Sequence, residues 1–125
     1  MTANAPLPLT QRSFVAVAGL MGAAGVALAA AAAHGGDARE LGAASAICLA
    51  HAPALLALGL SGGRLRLGAL AAILLFAGAG LFSLDMASRH FWGGPVFPMA
   101  APTGGTTAIL GWVVLAIGAL LPQGR

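Results

Sequence analysis

The sequence predicts an all-α membrane protein whose four transmembrane helices form two antiparallel hairpins. Of the 125 residues, 59% are hydrophobic and only 7% are charged, and the mean hydropathy is +0.94. A soluble domain carries about 25% charged residues. Three acidic and six basic side chains cannot cover a soluble fold of this length, whereas a bilayer requires an apolar exterior.

The apolar residues are gathered in four continuous runs of 18 to 21 residues. About 20 helical residues cross a hydrocarbon core about 30 Å thick, so each run is long enough to span a bilayer. The runs are rich in Ala and Leu and do not alternate as the strands of a β-barrel do. The predicted spans are residues 13–33, 41–60, 67–84 and 104–121.

Outside these spans the sequence predicts only tails and links. Residues 13–121 are expected to form one transmembrane domain, with tails at residues 1–12 and 122–125. A cleaved signal peptide is the alternative for the first run, but the apolar part of such peptides is about 7–15 residues long. A retained helix is therefore expected.

The links between the spans differ in length. Residues 34–40 and 61–66 are short links, which favour antiparallel neighbouring helices. Residues 85–103 form a longer third link, for which we expect no regular helix because of its prolines, Pro95, Pro98 and Pro102. Its aromatic residues favour the headgroup level, and Thr103 is expected to cap the last helix.

The arginines predict the orientation of the chain. Arg12, Arg64, Arg66 and Arg125 lie on the side of both termini, whereas only two arginines lie on the other side, with all three acidic residues. Positively charged residues stay in the cytoplasm. We therefore expect both termini in the cytoplasm.

Small residues predict where helices approach closely, because apolar burial does not drive helix association in lipid. Ala18, Gly22 and Gly25 supply such positions in the first span, and Gly78 and Gly80 supply them in the third. This face could serve packing within one chain or self-association. We expect packing within the chain.

His51 is the ionisable residue nearest the middle of a span, and such residues are functional candidates. With Cys48 three positions earlier it could form a proton relay or a pair of metal ligands. The alternative, which we favour, is a neutral structural histidine. Its expected partners are backbone carbonyls, including that of Leu49 or another freed by Pro53, or a hydroxyl such as that of Ser83.

A second polar group is predicted at the opposite end from the termini. Asp85 and Arg89 are four residues apart, a spacing suited to a helical ion pair. The group is either a small polar site or ordinary helix ends in water, and we favour helix ends. Its members are His34, Asp37, Arg39, Glu40, Asp85, Arg89 and His90.

Short motifs in order along the spans also resemble a known family. They are Ala-Ala-His-Gly at 32–35, His-Ala-Pro-Ala-Leu-Leu at 51–56, Leu-Phe-Ala-Gly-Ala-Gly at 75–80, Pro-Thr-Gly-Gly at 102–105 and Gly-Trp at 111–112. From about residue 20 to 121 the chain resembles the small bacterial membrane proteins grouped as domain of unknown function 423, which are similar to eukaryotic transmembrane protein 256. It departs from the family pattern at Pro53, Ala77 and Ala79. The resemblance implies a multi-pass membrane protein without an assigned reaction, with His34 and His51 as motif residues.

Three kinds of function remain open at this point. No catalytic motif, phosphate-binding loop or zinc spacing is present in the sequence, so we expect no enzyme, no metal and no cofactor. A structural or accessory membrane protein is the first hypothesis, with the lipid bilayer and a larger complex or a second copy as partners. A small transporter or proton-linked permease using His51 is the second, and a membrane enzyme is the third. Scattered arginines do not predict nucleic-acid binding.

Overall fold

Four helices make up most of the chain in the computed structural model, which describes residues 5–123. They are α1 (Leu9–His34), α2 (Arg39–Leu60), α3 (Gly68–Trp92) and α4 (Ala100–Leu120). Each is long and apolar enough to cross a membrane, and residues 5–123 contain no strand. The predicted all-α membrane fold is confirmed.

The helices pack in the order in which they follow along the chain. The extensive contacts among the described residues are α1 with α2, α2 with α3, and α3 with α4. Short links make each pair antiparallel, so α1–α2 and α3–α4 are the two hairpins and α2–α3 joins them. Leu55 of α2 and Leu75 of α3 are fully buried in the hydrophobic core that these helices share.

The third link is much shorter than the sequence predicts. Helix α3 continues about two turns beyond its predicted end, to Trp92, and α4 begins at Ala100. Only residues 93–99 are therefore non-helical. Pro102 lies in the first turn of α4, where an amide hydrogen would have no partner within the helix. The predicted non-helical link at 85–103 is therefore wrong at both ends.

The predicted cap of α4 is also wrong. Met99 holds the N-cap position, with a φ of 69°. The amide of Thr103 donates to the Met99 carbonyl at 3.0 Å, so Thr103 is already one turn inside the helix.

Glycines spaced seven residues apart bring α4 against α3 and against the link that joins α2 to α3. A Cβ added to Gly104 would lie 2.6 Å from the Phe82 amide nitrogen, and one added to Gly111 would lie 2.9 Å from that of Leu75. Residues at this spacing share one helix face. The glycines are Gly104, Gly111 and Gly118.

Two glycines of α3 that the sequence assigns to packing behave differently. Gly78 faces the backbone of α4, where an added Cβ would lie 2.6 Å from the Gly104 carbonyl oxygen and 2.8 Å from the Ala108 Cα. A Cβ at Gly80 would meet no atom within 4 Å. Of these two glycines, only Gly78 is therefore required for the close approach of α3 and α4.

The contact between α1 and α2 is tight at Gly25 of α1 and at Gly59 of α2, where an added Cβ would lie 3.0 Å from the Phe14 Cβ. A Cβ on Gly25 would lie 2.8 Å from the Leu49 side chain, and the Gly25 carbonyl accepts a 2.7 Å hydrogen bond from the Ser45 hydroxyl of α2. Ala18 is buried in the same contact. Gly22 is half-buried, and a Cβ there would make an ordinary 3.7 Å contact.

Candidate functional site

Both ring nitrogens of His51 are hydrogen-bonded at the centre of the helices. The side chain is 5% exposed. Its Nδ1 lies 2.8 Å from the Ile47 carbonyl oxygen, and its Nε2 lies 3.1 Å from the indole Nε1 of Trp112. A carbonyl only accepts and an indole N–H only donates. These partners therefore select a neutral ring with the proton on Nδ1.

Trp112 is the partner that the sequence analysis missed. A backbone carbonyl does bond to His51, as the sequence predicts, but it belongs to Ile47; the named examples, Leu49 and Ser83, are wrong. The two rings meet edge to face, with centroids 5.6 Å apart and planes at 61°. Because α2 and α4 are not neighbours in the packing order, this bond ties together two helices that otherwise meet little along the described residues.

Cys48 faces a different helix from His51. Its thiol donates to the Ser83 hydroxyl of α3 at 3.3 Å, and Ser83 donates to the Ala44 carbonyl of α2 at 3.3 Å. The two residues therefore do not act as a pair, despite their spacing. Within residues 5–123 no group of three or more His, Cys, Asp or Glu side chains is placed to hold a metal ion.

The buried polar side chains are all satisfied by neighbours. Every buried side-chain nitrogen and oxygen among residues 5–123 has a hydrogen-bond partner. Ser45 bonds α2 to α1, and Ser83 bonds α3 to α2. Together with the bond between His51 and Trp112, these contacts link all four helices through polar side chains.

A fully buried carboxylate anchors the third link. Asp85 is 0% exposed. Its Oδ2 accepts from the Arg89 Nε at 2.9 Å, and its Oδ1 accepts from the Val96 amide at 2.8 Å. The Ser88 hydroxyl donates to the Gly94 carbonyl at 2.7 Å. The end of α3 thus holds residues 93–99 in place, and the expected ion pair of Asp85 with Arg89 is present.

The rest of the predicted polar group does not join Asp85. His34 is exposed at the end of α1, and Asp37 and Arg39 form a separate, exposed pair 3.9 Å apart. His90 contacts the ring of Phe91 edge-on. No hydrogen bond or ion pair among the described residues links these side chains to Asp85, so the group is not one site.

Removal of the Asp85 carboxylate should release the link. We expect Asp85→Ala to lower the thermal unfolding temperature in detergent and to expose residues 93–99 to proteases, because the Val96 amide and Arg89 lose their acceptor. Asp37→Ala is the matched control, since its pair is exposed and such pairs contribute little. Equal effects of the two substitutions would contradict the anchoring role.

Comparison with known proteins identifies one related family. A family model described as "Protein of unknown function (DUF423)" matches residues 21–105. The matched segment contains His34, Cys48, His51 and Asp85 and ends before Trp112. No curated protein and no solved structure was found to match the chain.

Proposed function

This chain belongs to the family of proteins of unknown function DUF423, and we propose that it is a structural or accessory membrane component without catalysis of its own. It would act in a bacterial inner membrane, with both termini in the cytoplasm. The partner would be a larger membrane complex, or a second copy of the chain.

The bonding of His51 carries this proposal. A relay histidine must accept a proton at one ring nitrogen and release one from the other. The indole N–H of Trp112 can only donate a hydrogen bond, so it cannot take a proton from the ring. The Ile47 carbonyl can only accept one, so it cannot supply a proton. Proton transfer would require both bonds to break in an apolar environment. The geometry favours a histidine that holds α2 to α4.

The surroundings of His51 support the same role. The pocket beside it has a volume of about 270 Å³. Apart from the bonded His51 and Trp112 side chains, it is lined by aliphatic, phenyl and glycine groups: Ile47, Ala79, Phe82, Gly105, Ala108 and Ile109. Such a lining offers no chain of hydrogen-bonding groups along which water or protons could reach the ring.

Proton flux distinguishes the proposal from a proton-linked permease. We expect vesicles containing the protein and an internal pH-sensitive dye to equilibrate an imposed pH gradient no faster than protein-free vesicles. His51→Asn should give the same result. Flux in the wild-type protein that is lost in a correctly folded His51→Asn variant would overturn the proposal in favour of a transporter.

The accessory role requires a stable partner. We expect the tagged protein, extracted from native membranes in a mild detergent, to migrate on native gels with stoichiometric partner subunits or as a defined oligomer. An unrelated four-helix membrane protein with the same tag is the control for adventitious capture. Migration as a single chain in its own micelle, in every mild detergent, would contradict an accessory role.

The proposed orientation can be tested with one introduced cysteine at each end. Gly36→Cys and Ser61→Cys suit this purpose, because Gly36 is exposed with open space around its Cα and Ser61 differs from cysteine by one atom. The native Cys48 is buried. An impermeant thiol reagent added to intact cells should label Gly36→Cys and not Ser61→Cys. The reverse pattern would place the termini outside.

A further inference from the structure

An apolar groove lies between α2 and α4, beside the link that joins α2 to α3. It has a volume of about 420 Å³, within the range of about 300–1,000 Å³ that is usual for small-molecule sites. Trp112, which is hydrogen-bonded to His51, is one of its lining residues. We call it the α2–α4 groove; it is lined by Ala50, Pro53, Ala54, Ala57, Leu58, Leu65, Trp112 and Leu115.

The mouth of the groove is formed by the link between α2 and α3. This link is tied to the end of α4, because the Arg66 amide donates to the Gln123 side chain at 3.3 Å and the Arg66 carbonyl lies against Gly118. Leu65 therefore lines the groove. Its chain neighbours Arg64 and Arg66 are both exposed, at the level where the helices end.

No Asp or Glu side chain balances the charge of these two arginines. The chain has three acidic residues, and all of them lie at the opposite end of the helices, in the link after α1, the first turn of α2 and the last turns of α3. Two exposed arginines thus adjoin a residue that lines the groove, and no Asp or Glu side chain lies at their end of the helices. Guanidinium groups bind phosphate oxygens in bidentate fashion, and basic pockets between membrane helices attract anionic lipids.

We propose that the α2–α4 groove binds one acyl chain of an anionic phospholipid, whose phosphate contacts Arg64 and Arg66. The apolar lining accommodates the chain, and the two arginines distinguish an anionic headgroup from a zwitterionic one. Each arginine near an anionic surface should contribute about a fivefold preference. This inference does not depend on the accessory role.

Tryptophan fluorescence provides the test, because Trp112 lines the groove and the chain has only two tryptophans. Trp92 is 79% exposed, so Trp92→Phe should leave the fold intact and Trp112 as the single reporter. The protein is reconstituted in phosphatidylcholine vesicles that contain an equal, low mole fraction of brominated-chain phosphatidylglycerol or brominated-chain phosphatidylcholine. We expect brominated phosphatidylglycerol to quench Trp112 fluorescence several-fold more strongly than brominated phosphatidylcholine does at the same mole fraction.

Matched variants distinguish lipid binding at this groove from general electrostatic attraction between the protein and anionic lipids. Arg66→Gln and Arg64→Gln should each reduce the preference several-fold, whereas Arg12→Gln, with the same loss of charge at the same end, should leave it unchanged. Ala57→Phe, which fills the groove, should reduce quenching by phosphatidylglycerol, while Ala27→Phe on the exposed face of α1 should not. All variants are first confirmed as folded by circular dichroism.

Three outcomes would overturn the inference. The first is equal quenching by the two brominated lipids in the parent protein. The second is an Arg12→Gln effect as large as that of Arg66→Gln, which would show diffuse electrostatic attraction. The third is unchanged phosphatidylglycerol quenching in a folded Ala57→Phe variant, which would place the acyl chain outside the groove.

Discussion

Gly78→Ala is expected to separate α3 from α4 and to lower the free energy of unfolding by about 1–3 kcal/mol, the usual cost of overpacking. The added methyl would meet the Ala108 amide nitrogen and lie 2.6 Å from the Gly104 carbonyl oxygen. Both are backbone atoms, so no side-chain rotation can relieve the overlap. Thermal or denaturant unfolding in detergent, followed by circular dichroism, measures the effect.

Gly80→Ala is the matched control for this change. Gly80 lies on the same helix, and a Cβ there would meet no atom within 4 Å. Because alanine favours helix over glycine by about 1 kcal/mol, Gly80→Ala should be neutral or stabilising. The adjacent pair in α4 repeats the comparison, with Gly104→Ala destabilising and Gly105→Ala tolerated. Similar results within either pair would contradict the close helix contact.

The sequence predicts the helices better than it predicts their ends. Each predicted span lies within one observed helix to within one residue. The third apolar run stops at Leu84 because Asp85 is charged, but α3 continues to Trp92. Asp85 remains in the helix because Arg89 and the Val96 amide satisfy its carboxylate. Polarity thus indicates where the hydrocarbon ends, and local hydrogen bonding decides where the helix ends.

The candidate site is only partly predictable for a related reason. An ionisable residue within an apolar run is visible in the sequence, so His51 could be found. Its partner could not be assigned, because a sequence shows which residues share a face but not which helix lies opposite. Two signals were nevertheless available: the indole N–H of Trp112 needs an acceptor inside a span, and three glycines recur every seven residues in α4.

The bond between His51 and Trp112 should contribute measurably to stability. We expect Trp112→Phe to leave the His51 Nε2 without a donor, and His51→Leu to leave the indole N–H without an acceptor. Because His51 is buried but Trp112 is 42% exposed, each loss should cost about 1 kcal/mol. Removing both partners leaves no unpaired group. The double variant should therefore be more stable than the sum of the single effects implies, by about 1 kcal/mol. Trp92→Phe, at an exposed tryptophan, should leave the unfolding temperature unchanged.

Replacement of His51 by amides then distinguishes its two bonds. An asparagine amide lies near the position of Nδ1 and can still donate to the Ile47 carbonyl, which is part of the same helix. A glutamine amide extends to the position of Nε2, where its oxygen can accept from the Trp112 indole. If the bond between helices matters more, His51→Gln should be more stable than His51→Asn, and Trp112→Phe should remove this difference. Equal stability of the two amide variants, together with additive single effects, would show that the contact does not hold α2 to α4.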